Sequence, residues 1–362
     1  MSKARIIFFL ILTLTYTSTK ACKYTIREIG FSTLSKVTYV IYRVNEKSSF
    51  FPNQLEQNFS ESNIKGFGLG LMEDEANPIV RFAIDQKLTL PAYVLAAPDG
   101  RMIALAGNSI ENSTLYSPVR NQLVLELPEI YATVLLVEGK NGLENQLAQE
   151  KVEKTCDRVL NIMPNMPKQV DKGPKMIVIS GDEFEQEKVL LWSLGLNTMP
   201  DHPTAFVIYG KGRIMGERVD YQNINNDQVY KLLSIIGADC ECGLDRKWML
   251  GYQIPLNWPK ETRQHLSNIL GFDVDNPMVL TEMSRILAIE NRVAVDPDGI
   301  SFEPVVIDLD KEFGDVPEIA HKGDPQTQEE SIDTGMMMIY SFIFVVILII
   351  AGAFFVLRRR SN

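Results

Sequence analysis

"LPAYVLAAPDGRMIAL" spans Leu90–Leu105, and "HPTAFVIYGKGRIMGE" spans His202–Glu217. In each, a proline opens an apolar run, a turn closes on Gly-Arg, and a second apolar run follows. Pro91 and Pro203 stand 112 residues apart, and so do Gly100 and Gly212. Apolar runs joined by a glycine turn read as a β-hairpin. The shared spacing predicts that one structural unit is used twice.

Working outward from the second hairpin, "IYATVLLVEG" (130–139) and "GPKMIVIS" (173–180) read as strands. Between them, 143–163 is a helix whose apolar positions Leu143, Leu147, Val152, Cys156, Val159, Leu160 and Met163 predict one buried face. Helices are predicted over 182–196, with acids in the first turn, and over 225–238. Around the first hairpin the expected strands are 36–44 and 63–72. The helices are 51–61, 77–88 and 115–127, with Pro118 in a first turn, where it is tolerated. Gly66, Gly68 and Gly70 alternate in the second of these strands, so they face one side, where a close-packed helix is expected.

Both units thus run β-α-β-α-β-β-α. With a proline opening the third strand and a glycine-turn hairpin after it, this order resembles the thioredoxin-like fold, over 36–127 and 130–238. The resemblance implies an α/β class of two tandem thioredoxin-like domains. It also implies that Leu90–Pro91 and His202–Pro203 are cis and border a binding cleft, together with loops 45–52 and 138–142.

Redox members of that family carry Cys-x-x-Cys at the start of the first helix, where the helix N-terminus stabilises a thiolate. The matching loops here, "NEKSSFFPNQ" (45–54) and "EGKNGLENQ" (138–146), hold no cysteine. The four cysteines are elsewhere, at Cys22, Cys156, Cys240 and Cys242. They allow three full disulfide pairings, which sequence does not choose between. Cys240 and Cys242, in "DCECG", are the candidate pair for thiol exchange or soft-metal capture.

The ends predict export. Lys3 and Arg5 precede an apolar run, as in a signal peptide cleaved near Ala21; an uncleaved anchor and lipid attachment at Cys22 are the alternatives. Residues 336–357 carry no charge and precede three arginines, which predicts a membrane-spanning helix with a cytoplasmic tail. Six of the 36 basic residues and none of the 46 acidic ones lie in these terminal segments, leaving 30 basic against 46 acidic between them. That surface disfavours nucleic acid as a partner.

The expected organisation is a signal peptide at 1–21, a first thioredoxin-like unit at 22–128 and a second at 129–243. A small α+β region with a hairpin at 292–309 occupies 244–310, followed by an acidic tether at 311–335, a membrane helix at 336–357 and a tail at 358–362. No phosphate loop, cofactor motif or zinc ligand set is present in the sequence. The function expected is a membrane-anchored, extracytoplasmic binding or scaffold protein. It would hold a protein or peptide partner near the membrane, for instance within an envelope transport complex. The alternative is thiol-disulfide exchange or soft-metal handling through Cys240 and Cys242.

Overall fold

A computed structural model describes residues 23–47, 49–72, 76–105, 110–238 and 250–289. The first sheet holds β1 (Tyr39–Asn45), β2 (Ile64–Gly70), β3 (Ala92–Ala96) and β4 (Met102–Leu105) in the order β2-β1-β3-β4. The second holds β5 (Thr133–Val137), β6 (Lys175–Ile179), β7 (Thr204–Tyr209) and β8 (Arg213–Asp220) in the order β6-β5-β7-β8. In each, the first two strands are parallel and the other neighbours antiparallel. The two sheets therefore share one topology, and it is thioredoxin-like. β5 and β7 are buried along their whole length, which explains their unbroken apolar sequence: both faces of the sheet are covered.

Local chemistry sets the helix ends. Helix α1 (Ile26–Gly30) opens on a Thr25–Glu28 capping box. In the first sheet's half come α2 (Asn53–Asn58), α3 (Pro78–Asp85), capped by Asn77, and α4 (Ile110–Leu115). Ser117 caps α5 (Pro118–Glu126), with Pro118 in the first turn as expected. Asn141 caps α6 (Gly142–Ile162) by accepting from the Leu143 and Glu144 amides. The segment predicted as one helix over 182–196 is a 3-10 turn at Gly181–Glu183 and then α7 (Lys188–Ser193). The segment at 225–238 is α8 (Tyr221–Asn225) and α9 (Gln228–Ile236), broken at Asp227, whose backbone is left-handed at φ 60°. Lys151 and Arg158 pair with the Asp227 carboxylate there. Helices α10 (Lys260–Leu270) and α11 (Pro277–Ile289) follow.

Several expectations are corrected. Among the described residues no helix is long and apolar enough to cross a membrane, so the described fold is two α/β sheets without the transmembrane helix expected. Segments 1–21, 292–309, 311–335, 336–357 and 358–362 lie outside the described residues. The described part of the α+β region is helices and extended chain rather than a sheet of its own. Helix α5 was expected to close the first unit. Instead it buries Val119, Leu123 and Leu127 in the second core, beside Leu135 and Ile177. Ile110 and Leu115 of α4 fill the first core in its place, with Val189 and Trp192 of α7. The buried line of α6 is Ala148, Val152, Cys156 and Val159, whereas Leu143, Leu147 and Leu160 are exposed. A loop, not a helix, covers the glycines of β2. A Cβ on Gly66 would meet the Phe51 ring at 2.3 Å, and one on Gly68 the Ser49 carbonyl oxygen at 1.7 Å.

The repeated Gly-Arg turns join the two halves. Gly210 and Gly212 take positive φ, and a Cβ on Gly210 would lie 2.2 Å from the Gly30 backbone. The Lys211 amide donates to the Gly30 carbonyl at 3.0 Å. Arg213, fully buried, donates to the carbonyls of Gly30 (3.2 Å), Ser32 (3.3 Å), Leu34 (2.6 Å) and Gly251 (3.3 Å). At the equivalent place in the first hairpin, Arg101 donates to the carbonyls of Trp192 and Ser193 at the end of α7. Extended chain at 252–258 completes the junction. It bridges Arg213 through Gln253 and Ser62 through Asn257.

Replacing Arg213 with alanine leaves four carbonyls without that donor, and unpartnered buried groups cost about 1–3 kcal/mol each when nothing replaces the partner. We expect Arg213→Ala to lower unfolding stability by at least about 3 kcal/mol in urea titration, and the partly exposed Arg101→Ala by about 1 kcal/mol. Equal, small losses in both would show that the buried guanidinium does not hold the junction.

Candidate functional site

In the first sheet's half, the loop after β1 runs back across β2, over Gly66 and Gly68, before entering α2. Phe50 stands on this loop, 96% exposed. The Leu90–Pro91 peptide is cis, as the resemblance implied. Beside it opens a cavity of about 670 Å³, whose walls include Leu55, Leu90, Pro91, Tyr93, Leu105 and Ile110. Among the described residues no charged side chain lines it. Such a site can hold apolar side chains and present the ends of β3 and β4; among the described residues its chemically active side chains are the Thr89 and Tyr93 hydroxyls. Sequence pointed to Leu90 and Pro91 here. The aliphatic walls gave no signal, because Leu105 and Ile110 read like any core residue.

The equivalent place in the second half is closed. His202–Pro203 is trans, against the expectation, since Leu90–Pro91 is the one cis peptide among the described residues. Gly139 presses against it: a Cβ there would meet the His202 carbonyl carbon at 2.5 Å and the Pro203 nitrogen at 2.7 Å. Asn145 fixes this loop by accepting from the Gly139 amide at 2.8 Å and donating to its carbonyl at 3.0 Å. Lys140 pairs with Asp201 at 2.6 Å.

The His202 ring stays outside, 2.7 Å from the Glu144 carboxylate through Nδ1 and stacked on Tyr221. A carboxylate accepts, so Nδ1 carries the proton in this contact. The hydrogen bond to Glu144 and its negative charge raise the imidazole above its ordinary value of 6.5. Pro203 is buried. The histidine thus serves as an exposed ion-pair partner over a filled crevice, and the two halves differ in the space they leave beside the matching proline.

Of the cysteines, Cys156 is a free thiol buried on α6, and burial, with Asp157 and Glu153 nearby, pushes it up to about 12. Cys22, Cys240 and Cys242 lie outside the described residues. Among the described residues no group of three or more His, Cys, Asp and Glu side chains is placed to hold a metal ion.

No family model matches the chain, and no curated protein matches it. Among solved structures it is similar to the first two thioredoxin domains of Eps1p from Naumovozyma dairenensis, at 12% identity and TM-score 0.19, covering 51% of this chain and 85% of that one. The corresponding domains of Saccharomyces cerevisiae Eps1p match at 9% identity and TM-score 0.22, covering 58% and 94%. The bb fragment of ERp72 matches at 13% identity and TM-score 0.17, covering 53% and 86%. Overlaps this low carry no argument; the order and register of the two sheets define the fold.

Because the folded chain raises the His202 imidazole, its protonation favours folding. That contribution is complete below about 6.5 and fades as pH rises through the raised folded value. NMR titration should place His202 above 6.5, and Glu144→Gln should bring it down toward 6.5. No difference between the two proteins would break the assignment. Separately, Cys156 should resist alkylation in the native chain at pH 8 and react once urea unfolds it, as peptide mass spectrometry can show. Fast native labelling at that residue would contradict its burial.

Proposed function

We propose that this protein is a binding module built on two thioredoxin-like halves, holding an extended, apolar segment of a protein or peptide partner at the cleft beside Leu90–Pro91. The single observation that carries this reading is the open apolar cavity of about 670 Å³ next to that peptide, in a loop system that has no thiol. Its size suits one or two aliphatic or aromatic side chains. The fully exposed Phe50 on the neighbouring loop adds an unpartnered apolar contact, of the kind that marks interaction surfaces. Among the described residues the lining is mostly apolar, which suits the side chains of a bound segment. The second half, with its crevice filled by Gly139, would act as a support for the first.

The test uses the full-length chain and a fluorescein-labelled, unstructured decapeptide with leucine at alternate positions, read by fluorescence anisotropy. Wild type should bind it saturably. Ala104→Arg, which places a long charged side chain on the cavity wall, should weaken binding by about tenfold or more. Leu143→Ala, on the exposed face of α6, should leave it unchanged. An Ala104→Arg chain that melts normally and binds as wild type does would end this reading.

A further inference from the structure

The outer strands of the two sheets are guarded unequally. β4 is only four residues long. β6 has five residues, and Lys175 at its start pairs with Glu126. β8 carries Glu217, Arg218 and Asp220 and a register shift against β7, and chain at Tyr252 and Gln253 covers its start. Short length, charge, bulges and covering chain keep a strand edge from pairing with another molecule. β2 lacks most of these devices. It is seven residues long, its register with β1 is unbroken from Ile64 to Gly70, and Lys65 is its single charge.

Alternation along β2 shows which backbone groups face outward. The Tyr39 amide donates to the Asn63 carbonyl and the Leu71 amide to the Asn45 carbonyl, both at 2.9 Å. In a parallel ladder every second residue turns its N–H and C=O the same way, so Asn63, Lys65, Phe67, Leu69 and Leu71 turn theirs to β1. Ile64, Gly66, Gly68 and Gly70 turn theirs to the edge. Both ends of that edge are taken: the Ile64 amide donates to Ser62 Oγ at 3.1 Å, and Gly70 is buried. Between them Gly66 and Gly68 are half-buried, and a glycine exposes nothing but backbone. Among the described residues no group hydrogen-bonds to their outward N–H and C=O.

Phe67 stands at the centre of this window. Its side chain is 53% exposed, on the face away from the Ser49–Phe51 loop, with its ring 6.2 Å from that of Tyr42. A large exposed aromatic beside open backbone groups marks an interaction surface.

The window matches its own copy. A two-fold axis through Phe67 sets two β2 strands antiparallel, with Gly66 of each opposite Gly68 of the other. Each such pair exchanges two hydrogen bonds, so every open group at Gly66 and Gly68 is answered. An axis at Gly66 would call on the Ile64 amide, which is taken, and one at Gly68 on the buried Gly70. The two Phe67 side chains then meet where opposed Cα atoms are about 4.5 Å apart, and they cover each other. Lys65 of each strand lies opposite Leu69 of the other. The two Lys65 positions are offset by about 14 Å along the strands, beyond the ~8 Å screening length, so no like charges meet. We propose that β2 is a homodimer edge: two copies of this chain pair antiparallel through Gly66–Gly68 about an axis at Phe67, which joins their first sheets into one. The Leu90–Pro91 cleft lies beside β3 and β4, toward the other edge, so the pair carries its clefts at opposite ends of the joined sheet. This interface does not rest on the peptide reading, and either stands if the other fails.

An interface this small is weak, so sedimentation velocity of the full-length chain should span about 1 to about 100 µM. Wild type should pass from monomer to dimer with concentration. Phe67→Lys, which sets two ammonium groups against each other, should raise the dimer dissociation constant at least about tenfold while melting as wild type does. Register is read with Phe67→Cys, mildly oxidised and digested for peptide mass spectrometry. The opposed thiols should join in a disulfide between copies, because Cα atoms that close suit the bond. Leu143→Cys, on the exposed face of α6, should not couple in this way. A wild-type chain that stays monomeric throughout, as it would if β2 takes its strand from a different protein, overturns the proposal. So does association that Phe67→Lys leaves unchanged, or coupling of Phe67→Cys no faster than that of Leu143→Cys.

Discussion

The structure depends on one buried guanidinium. Arg213 carries its charge at 0% exposure, with no carboxylate beside it among the described residues, and it is accommodated by four backbone carbonyls. Burial lowers its basicity, yet an arginine so perturbed is still fully protonated near neutrality. A planar fork with five donors is what allows one side chain to satisfy Gly30, Ser32, Leu34 and Gly251 together. Those carbonyls belong to the end of α1, the chain leading into β1, and the return segment before 252–258. Arg27 and Arg120 repeat the device. Each is buried and lowered to about 10 by that burial, and each gathers loop carbonyls. Backbone groups that turns leave unpaired are thus answered by long side chains.

The hairpins, their shared spacing and the order of the strands were legible because they rest on local chemistry. Proline and glycine fix backbone angles wherever they stand, and β-branched runs read as strands in isolation. The allegiance of α5 was not legible. Its apolar residues Val119, Leu123 and Leu127 announce a buried stripe but not which sheet receives it. The face of α6 is legible in part: Val152, Cys156, Val159 and Met163 are buried as the periodicity predicts, whereas Leu143, Leu147 and Leu160 are exposed. Leu143 and Leu147 outweigh Ala148 in any hydrophobic count, yet Ala148 is fully buried and the two leucines are exposed. The glycines of β2 did signal a close approach, though the approaching group is the Ser49–Phe51 backbone and ring.

The two halves show how one topology yields different sites. In the first, the loop after β1 lies over β2 and leaves the space beside Leu90–Pro91 open. In the second, Asn145 draws Gly139 onto His202–Pro203 and closes the same space. A single side-chain amide, placed one turn into α6, accompanies the closed crevice in the second half. In sequence that asparagine is one polar residue in a helix, and only the loop it grips gives it meaning.

The docking of α1 has a consequence for how the chain is made. Ile26, Ile29 and Phe31 are fully buried; Phe31 packs with Ile254 and Trp258, the Ile26 amide donates to the Ala238 carbonyl, and Arg213 holds the Gly30 carbonyl between them. During synthesis the apolar residues of α1 therefore wait for some two hundred further residues before these partners are made. Contacts that distant in sequence form late and slowly. During synthesis that short segment is a natural foothold for a chaperone.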